Sequence, residues 1–355
     1  TDAINNAEDN SKILFRRGDV WSIETYTDGV EPIFNIAGES IEIGAYGEGE
    51  KPKIYHMNDP NGHESLFQIL GATDIRIRDI ELGAEHNTGW NVLIYLYSTS
   101  DHSLISNITF NGTYRIGIRL YSPNTFIVDS DFLLADYLAI YGPAPKSSVM
   151  GNTFSYPDPT VNPKNGIRFA YATGDPNHPG KTIFSNNFAF RDWAWALRAY
   201  NGPLIASDNI MNGTGSMSTL RAVCHECDPG TNTALIERNV FYSPREYETS
   251  PSQAIGMGSK DIGVIRNNIF YNVLSGKISL SYVPMDQNPG PGNYGNVSDK
   301  LYVYHNTLYN NDNMNGNGIH IRTEANLIEV KNNIMDNISK SNNFYNLNYP
   351  RKMLN

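Results

Sequence analysis

Two mostly apolar residues, a spacer, Asn or Asp, a spacer and a further apolar residue recur from one end of the chain to the other. The copies are IRIRDIEL (75–82), LISNITF (104–110), IVDSDF (127–132), VMGNTF (149–154) and IFSNNF (183–188), then IASDNI (205–210), IERNVF (236–241), VIRNNIF (264–270), VYHNTL (303–308) and EVKNNI (329–334). They lie about 22 to 39 residues apart. The flanking alternation has a period of two, as in strands with one buried face. No long window carries a helical period. The shortest gap accommodates one coil of three short strands and three turns, and longer gaps are then loops inserted at a corner. A propeller blade needs four antiparallel strands and does not fit. Leucine-rich and helical repeats lack their Leu and Ala signatures here. The pattern predicts an all-β chain: a single-stranded, right-handed parallel β-helix of about 10 to 12 coils with three parallel sheets. It would form one domain over 1–355, with 1–30 as N-terminal cap and first coil and 341–355 as C-terminal cap or tail. The motif Asn has a physical role: it tolerates the left-handed backbone of a tight turn, and its amide can bond the same amide one coil away.

A second strand precedes each turn motif. Examples are NVLIYLYS (91–98), RIGIRLYS (115–122), YLAIYG (137–142), GIRFAY (166–171), ALRAYN (196–201), TLRAVC (219–224) and GIHIRT (318–323). Stacked on their apolar residues, the first outward position reads Gln68, Tyr95, Arg119, Ala139, Arg168, Arg198, Arg221, Gly256, Ser279, His320. Two residues on, it reads Leu70, Tyr97, Tyr121, Tyr141, Ala170, Tyr200, Val223, Gly258, Ser281, Arg322. Arginines and tyrosines therefore line one sheet over the middle coils. Stacked like charges repel, so an Arg column implies something anionic facing it. Either acidic turn residues such as Asp129, Asp192 and Glu226 pair with it, or it forms a cleft for a polyanion, with Arg gripping carboxylates or sulfates and Tyr stacking on sugar faces.

Composition sharpens this picture. The 355 residues carry a net charge of −10, which argues against a general nucleic-acid binder. Tyr outnumbers Phe 22 to 14, which suggests rings displayed at a surface. No apolar run is long enough to span a membrane. No signal peptide is recognisable, so the expected secreted or periplasmic location rests on the substrate class. A monomer is expected.

The segments ILFRRGDVW (13–21) and IEIGAYGEGEKPKI (41–54), with the Asn turn column, resemble the opening coils of β-helix polysaccharide lyases. That group includes pectate lyases, chondroitinase B and some alginate lyases. The resemblance covers nearly the whole chain and implies that substrate binds along the sheet carrying the Arg/Tyr strands. The chain departs from two family motifs. RDWAWALRAYN (191–201) matches the Trp-x-Asp-His segment of pectate lyases only loosely, and GDPNHPG (174–180) replaces the Asp-Pro-His-Asp of alginate epimerases.

Such lyases cleave uronic-acid polymers by β-elimination. A cation neutralises the carboxylate, a base takes the adjacent proton, and an acid can protonate the leaving oxygen. Arg198 and Arg221 are the candidates for the carboxylate or the base, and Tyr200 or His225 for proton handling. Arg119, Arg168, Tyr95, Tyr97, Tyr121, Tyr141, Trp193 and His320 are candidates for substrate binding. Asp129, Asp131 and Asp136, or Glu226 and Asp228, could hold Ca²⁺. Cys224 and Cys227 read as a short-loop disulfide or two plain thiols; a zinc site would need further ligands. The alternatives are a glycoside hydrolase using carboxylates such as Asp192, Asp208 and Glu226, a uronate epimerase, and a glycan-binding adhesin or tailspike-like module.

Overall fold

A computed structural model describes residues 2–24, 34–57, 65–84, 92–112, 114–133, 135–143, 146–155, 167–170, 182–189, 197–200, 203–212, 218–223, 233–242, 253–258, 262–273, 276–281, 298–309, 317–322, 325–336 and 343–344. The chain forms two units, Thr1–Arg168 and Phe169–Asn355.

In the first unit a short helix, Asp2–Asn5, precedes strands that repeat in threes. Strands leading into the motif turn, such as Arg76–Arg78, Leu104–Ser106 and Phe126–Val128, form one sheet, here the pre-turn sheet. Strands leaving it, such as Glu81–Ala84, Thr109–Gly112 and Asp131–Leu133, form the post-turn sheet. Ser65–Ile69, Val92–Leu96, Tyr114–Leu120 and Ala135–Gly142 belong to the third, the Arg/Tyr sheet. Each described strand pairs in parallel with its counterpart one coil away and not with its sequence neighbour. The second unit repeats the scheme, for example with Leu204–Ser207, Ile210–Asn212 and Ser218–Val223.

Inward positions stack like on like. Phe110, Phe132 and Phe154 pile face to face at 4.4 and 4.8 Å in the first unit, and Phe241 and Phe270 at 5.0 Å in the second. All five are buried. Each ring removed from water contributes about 1.5–3 kcal/mol. In-register stacking of identical residues lets one coil's packing solution serve the next, which explains the short apolar motif.

The turn divides between two residues the roles expected of one. Asn186, Asp208, Arg238, Asn267, His305 and Asn332 hold the left-handed backbone, with φ between 52 and 59°. The residue after each one forms the amide ladder. The Nδ2 of Asn209 donates to Oδ1 of Asn239 at 2.8 Å, Asn239 to Asn268 at 3.0 Å, and Asn268 to Asn306 at 3.0 Å. Each also accepts a backbone N–H from the previous coil and donates to a strand carbonyl, such as Asn239 to the Ala206 carbonyl. The buried polar groups of the turn are thereby satisfied. In the first unit Ser130 and Asn152 occupy the ladder rungs, and the Ser130 N–H donates to Asn152 Oδ1. A residue in left-handed conformation points outward, so one side chain cannot serve both roles.

Candidate functional site

Arg119 belongs to the Arg/Tyr sheet. It lies near the end of Tyr114–Leu120, half-buried, with Tyr95 as its register partner on one side. On the other side the partner is Tyr141, not Ala139 as the sequence stacking had it. Leu138 pairs with Ile116 and Ile140 with Ile118, and the register shifts between Tyr114 and Ile116. Strand periodicity is two, so sliding Ala135–Gly142 by two residues leaves the apolar alternation intact. The offset between the strands grows by one residue across the irregularity, from Tyr114–Ala135 to Ile116–Leu138, and no sequence pattern encodes it.

The corrected ladder runs Gln68, Tyr95, Arg119, Tyr141. Its consequence is a cationic side chain held among phenols. The Arg119 guanidinium carbon is 4.6 Å from the Tyr95 ring centre and 5.4 Å from that of Tyr121. The Tyr95 ring stacks on Tyr97 at 3.9 Å and meets Tyr121 at 6.0 Å. Val92, Ile116 and Leu138 form an apolar floor with Tyr95, and Tyr97, Tyr121 and Tyr141 pack against it. Burial disfavours the charge on Arg119; a hydrogen bond with Tyr121 and the nearby Tyr95, Tyr121 and Tyr141 hydroxyls outweigh that, and its pKa is raised. Among the described residues no carboxylate acts on it, and its Nε is buried without a hydrogen-bond partner. Asp129, offered as a pairing partner for the column, stands instead in the left-handed turn between the pre-turn and post-turn sheets.

In the second unit the backbone register agrees with the sequence alignment. Arg198 pairs with Arg221, then Gly256, Ser279, His320 and Asn343 follow. Tyr200 pairs with Val223 and Val223 with Gly258. Two arginines thus occupy adjacent rungs about 4.8 Å apart. Arg168 lies on the strand Ile167–Ala170. The side chains of Arg168, Arg198, Tyr200, Arg221 and His320 lie outside the described ones, and Trp193, Cys224, His225 and Cys227 lie wholly outside the described residues.

The three aspartates considered for Ca²⁺ lie on different elements. Asp129 is in the turn, Asp131 starts the post-turn strand Asp131–Leu133, and Asp136 is on the Arg/Tyr strand Ala135–Gly142, its side chain not described. Among the described residues, no three His, Cys, Asp or Glu side chains converge on a possible ion. Asp131 instead acts on Lys51, whose ammonium donates to Thr109 Oγ1 at 3.0 Å and whose pKa is lowered by burial. Nearby, Glu81 accepts from the Tyr55 hydroxyl and from Asn111 Nδ2. The sequence reading missed this polar cluster, because its members are dispersed among different coils. Among the described residues, no helix is long and apolar enough to cross a membrane.

No family model and no curated sequence matches the chain. Solved structures do. The chain is similar to an alginate lyase from Paenibacillus sp. str. FPU-7 at 13% identity and a TM-score of 0.54, over 76% of this chain and 91% of that one. It is also similar to the tailspike protein of E. coli bacteriophage HK620, solved with a pentasaccharide, at 12% identity and a TM-score of 0.60. That match covers 93% of this chain, which spans 60% of the tailspike chain. With sheets made of parallel strands, these likenesses define the class: the protein is a right-handed parallel β-helix.

Proposed function

We propose that the chain acts on polysaccharides, and specifically that it is a lyase cleaving an anionic, uronic-acid-containing glycan by β-elimination. The observation that carries this reading is Arg119. A planar cation half-buried among tyrosines, with no carboxylate beside it among the described residues, is arranged to receive an external anion. The surrounding rings offer apolar faces to sugar C–H groups and hydroxyls to sugar oxygens.

Arg119, with Tyr95, Tyr97, Tyr121 and Tyr141, would hold the chain at a subsite away from the bond being cut. Arg198 and Arg221, on adjacent rungs, would neutralise the carboxylate next to the reacting carbon and draw off its proton. Tyr200 or His225 would then return a proton to the leaving oxygen. A secreted or periplasmic location suits such a substrate.

A second reading, non-catalytic glycan binding, is favoured by the company Arg119 keeps. Among the described residues phenols surround its guanidinium, a chemistry suited to holding an anion. One experiment separates the two. Incubation with alginate, pectate, hyaluronan and chondroitin should produce near-ultraviolet absorbance from an unsaturated uronate on at least one of them. New reducing ends without absorbance would make the protein a hydrolase; retained binding with neither signal would make it a binding module or an epimerase. Repeating the assay with a chelator tests the Ca²⁺ requirement.

A further inference from the structure

The Arg/Tyr sheet leaves several tyrosines without a role, and three of them stand in one column of the second unit's post-turn sheet. Tyr242 pairs with Tyr271 and Tyr271 with Tyr309, each three residues after a ladder asparagine. The Tyr271 and Tyr309 rings stack at 5.5 Å and within 10° of parallel. Beside them runs an aliphatic column, Ile210, Val240, Ile269, then Thr307 and Ile334. Its exposure is substantial: 41% for Ile210, 48% for Ile269 and 63% for Ile334, with Tyr271 at 41%.

The first unit supplies an internal control. The same sheet there carries Lys53, Glu81, Thr109 and Asp131 on successive rungs, three of the four with charged side-chain types. From Ile210 to Tyr309 the described strands of this sheet in the second unit carry no charged residue, in a chain of net charge −10. Single exposed apolar residues need no explanation, but an uncharged column sustained over successive coils does.

We propose that this face is a second carbohydrate-binding surface, taking an uncharged stretch of a glycan chain laid across the strands along the tyrosine column. The stacked Tyr271 and Tyr309 rings spend their faces on one another, so the column presents ring edges and hydroxyls, one tyrosine per coil on strands about 4.8 Å apart. Hydroxyl groups repeating along a line, with an aliphatic strip beside them, match a linear polymer bearing both hydroxyls and C–H patches. The dimensions favour that occupant over a protein. Four strands of three residues cover roughly 15 Å by 10 Å, far short of the ~800 Å² each partner gives to a stable protein interface. The proposal does not depend on the reading of Arg119, which concerns an anionic ligand on another sheet.

Native electrophoresis through gels cast with galactomannan, xyloglucan or dextran, and separately with alginate, tests it. At least one neutral polymer should retard the wild-type chain. Tyr271→Ala/Tyr309→Ala should abolish that retardation and leave migration in alginate as it was. Tyr271→Phe keeps the ring stack and the fold, and should weaken the neutral-polymer affinity about fivefold, the equivalent of one hydrogen bond. Arg119→Ala should leave neutral retardation intact. Absence of retardation by every neutral polymer, or retardation that survives both tyrosine variants, overturns the proposal. So does sedimentation showing a wild-type dimer that Tyr271→Phe or the double variant converts to monomer, which would make the face a contact between copies.

Discussion

The Arg119 guanidinium lies 4.6 Å from the centre of the Tyr95 ring, its register partner in the preceding coil. Cation–π contact of this kind contributes about 0.5–2 kcal/mol, more as water is excluded. It also fixes the guanidinium plane. Arg119→Ala is therefore expected to weaken binding of a uronate oligosaccharide by at least about tenfold, near 1.4 kcal/mol. Arg119→Lys should recover little of this, because an ammonium has neither the plane nor the fork. Calorimetric titration of the two variants checks both statements; full recovery by Lys would reduce the site to a point charge.

Arg198 and Arg221 occupy adjacent rungs of one sheet. If they serve the reacting carboxylate, each Arg→Ala change should lower kcat by about 10²-fold or more, as loss of a transition-state donor does. KM should change far less. Activity intact in both variants would remove them from the chemistry. The readout is the initial rate of unsaturated-uronate formation, with circular dichroism to show that the coils persist.

Asn239 sits mid-ladder. It accepts the Asn209 N–H at 3.0 Å and the Asn209 amide at 2.8 Å, and donates to Asn268 and the Ala206 carbonyl. Asn239→Ala strands these buried partners and should cost about 2–4 kcal/mol in urea unfolding. Asn239→Ser should cost less, since Ser130 accepts an N–H from the previous coil at the equivalent rung.

His305 holds the left-handed turn position with φ 54°, exposed and beside the Tyr304 ring. Asn267 and Asn332 take the same conformation at the preceding and following turns. Asn tolerates it at lower cost than His. His305→Asn is expected to stabilise the chain by about 0.5–1 kcal/mol, read from the urea midpoint. An unchanged or lower midpoint would mean that the contact with Tyr304 outweighs the backbone term.

Glu237 links the ladder to acid stability. Burial raises its pKa, but hydrogen bonds from Arg266 at 2.7 Å and Arg238 at 2.5 Å outweigh burial, and the carboxyl is held below its ordinary 4.5. Glu42, through Arg78 and then Lys12, and Asp208, through Arg238, are lowered as well. A folded-state pKa below the unfolded one contributes stability that is present above pH ~4.5 and is lost as pH falls through the folded value. Glu237→Gln should lower stability at pH 7 by about 1–2 kcal/mol, the arginines being partly exposed. It should also flatten the decline between pH 5 and 3 in unfolding measured by fluorescence. A parallel decline in both proteins would assign acid sensitivity to other carboxylates.

The sequence by itself determined the coil. Period-two alternation dictates strands, the recurring turn motif dictates their spacing, and both are local properties that survive without knowledge of partners. It also determined which residues share the Arg/Tyr sheet, since Arg198, Arg221, Gly256, Ser279 and His320 stack in the order read from the chain. Tertiary structure decided what sits next to what. Arg119 faces Tyr141, two residues on from the Ala139 that the alternation allowed equally, and an alternating pattern is blind to a slide of two. The turn motif shows a similar limit. Asn–Asn in IFSNNF does not reveal that Asn186 bends the chain while Asn187 bonds the next coil, because the two roles differ only in which way the backbone points each side chain.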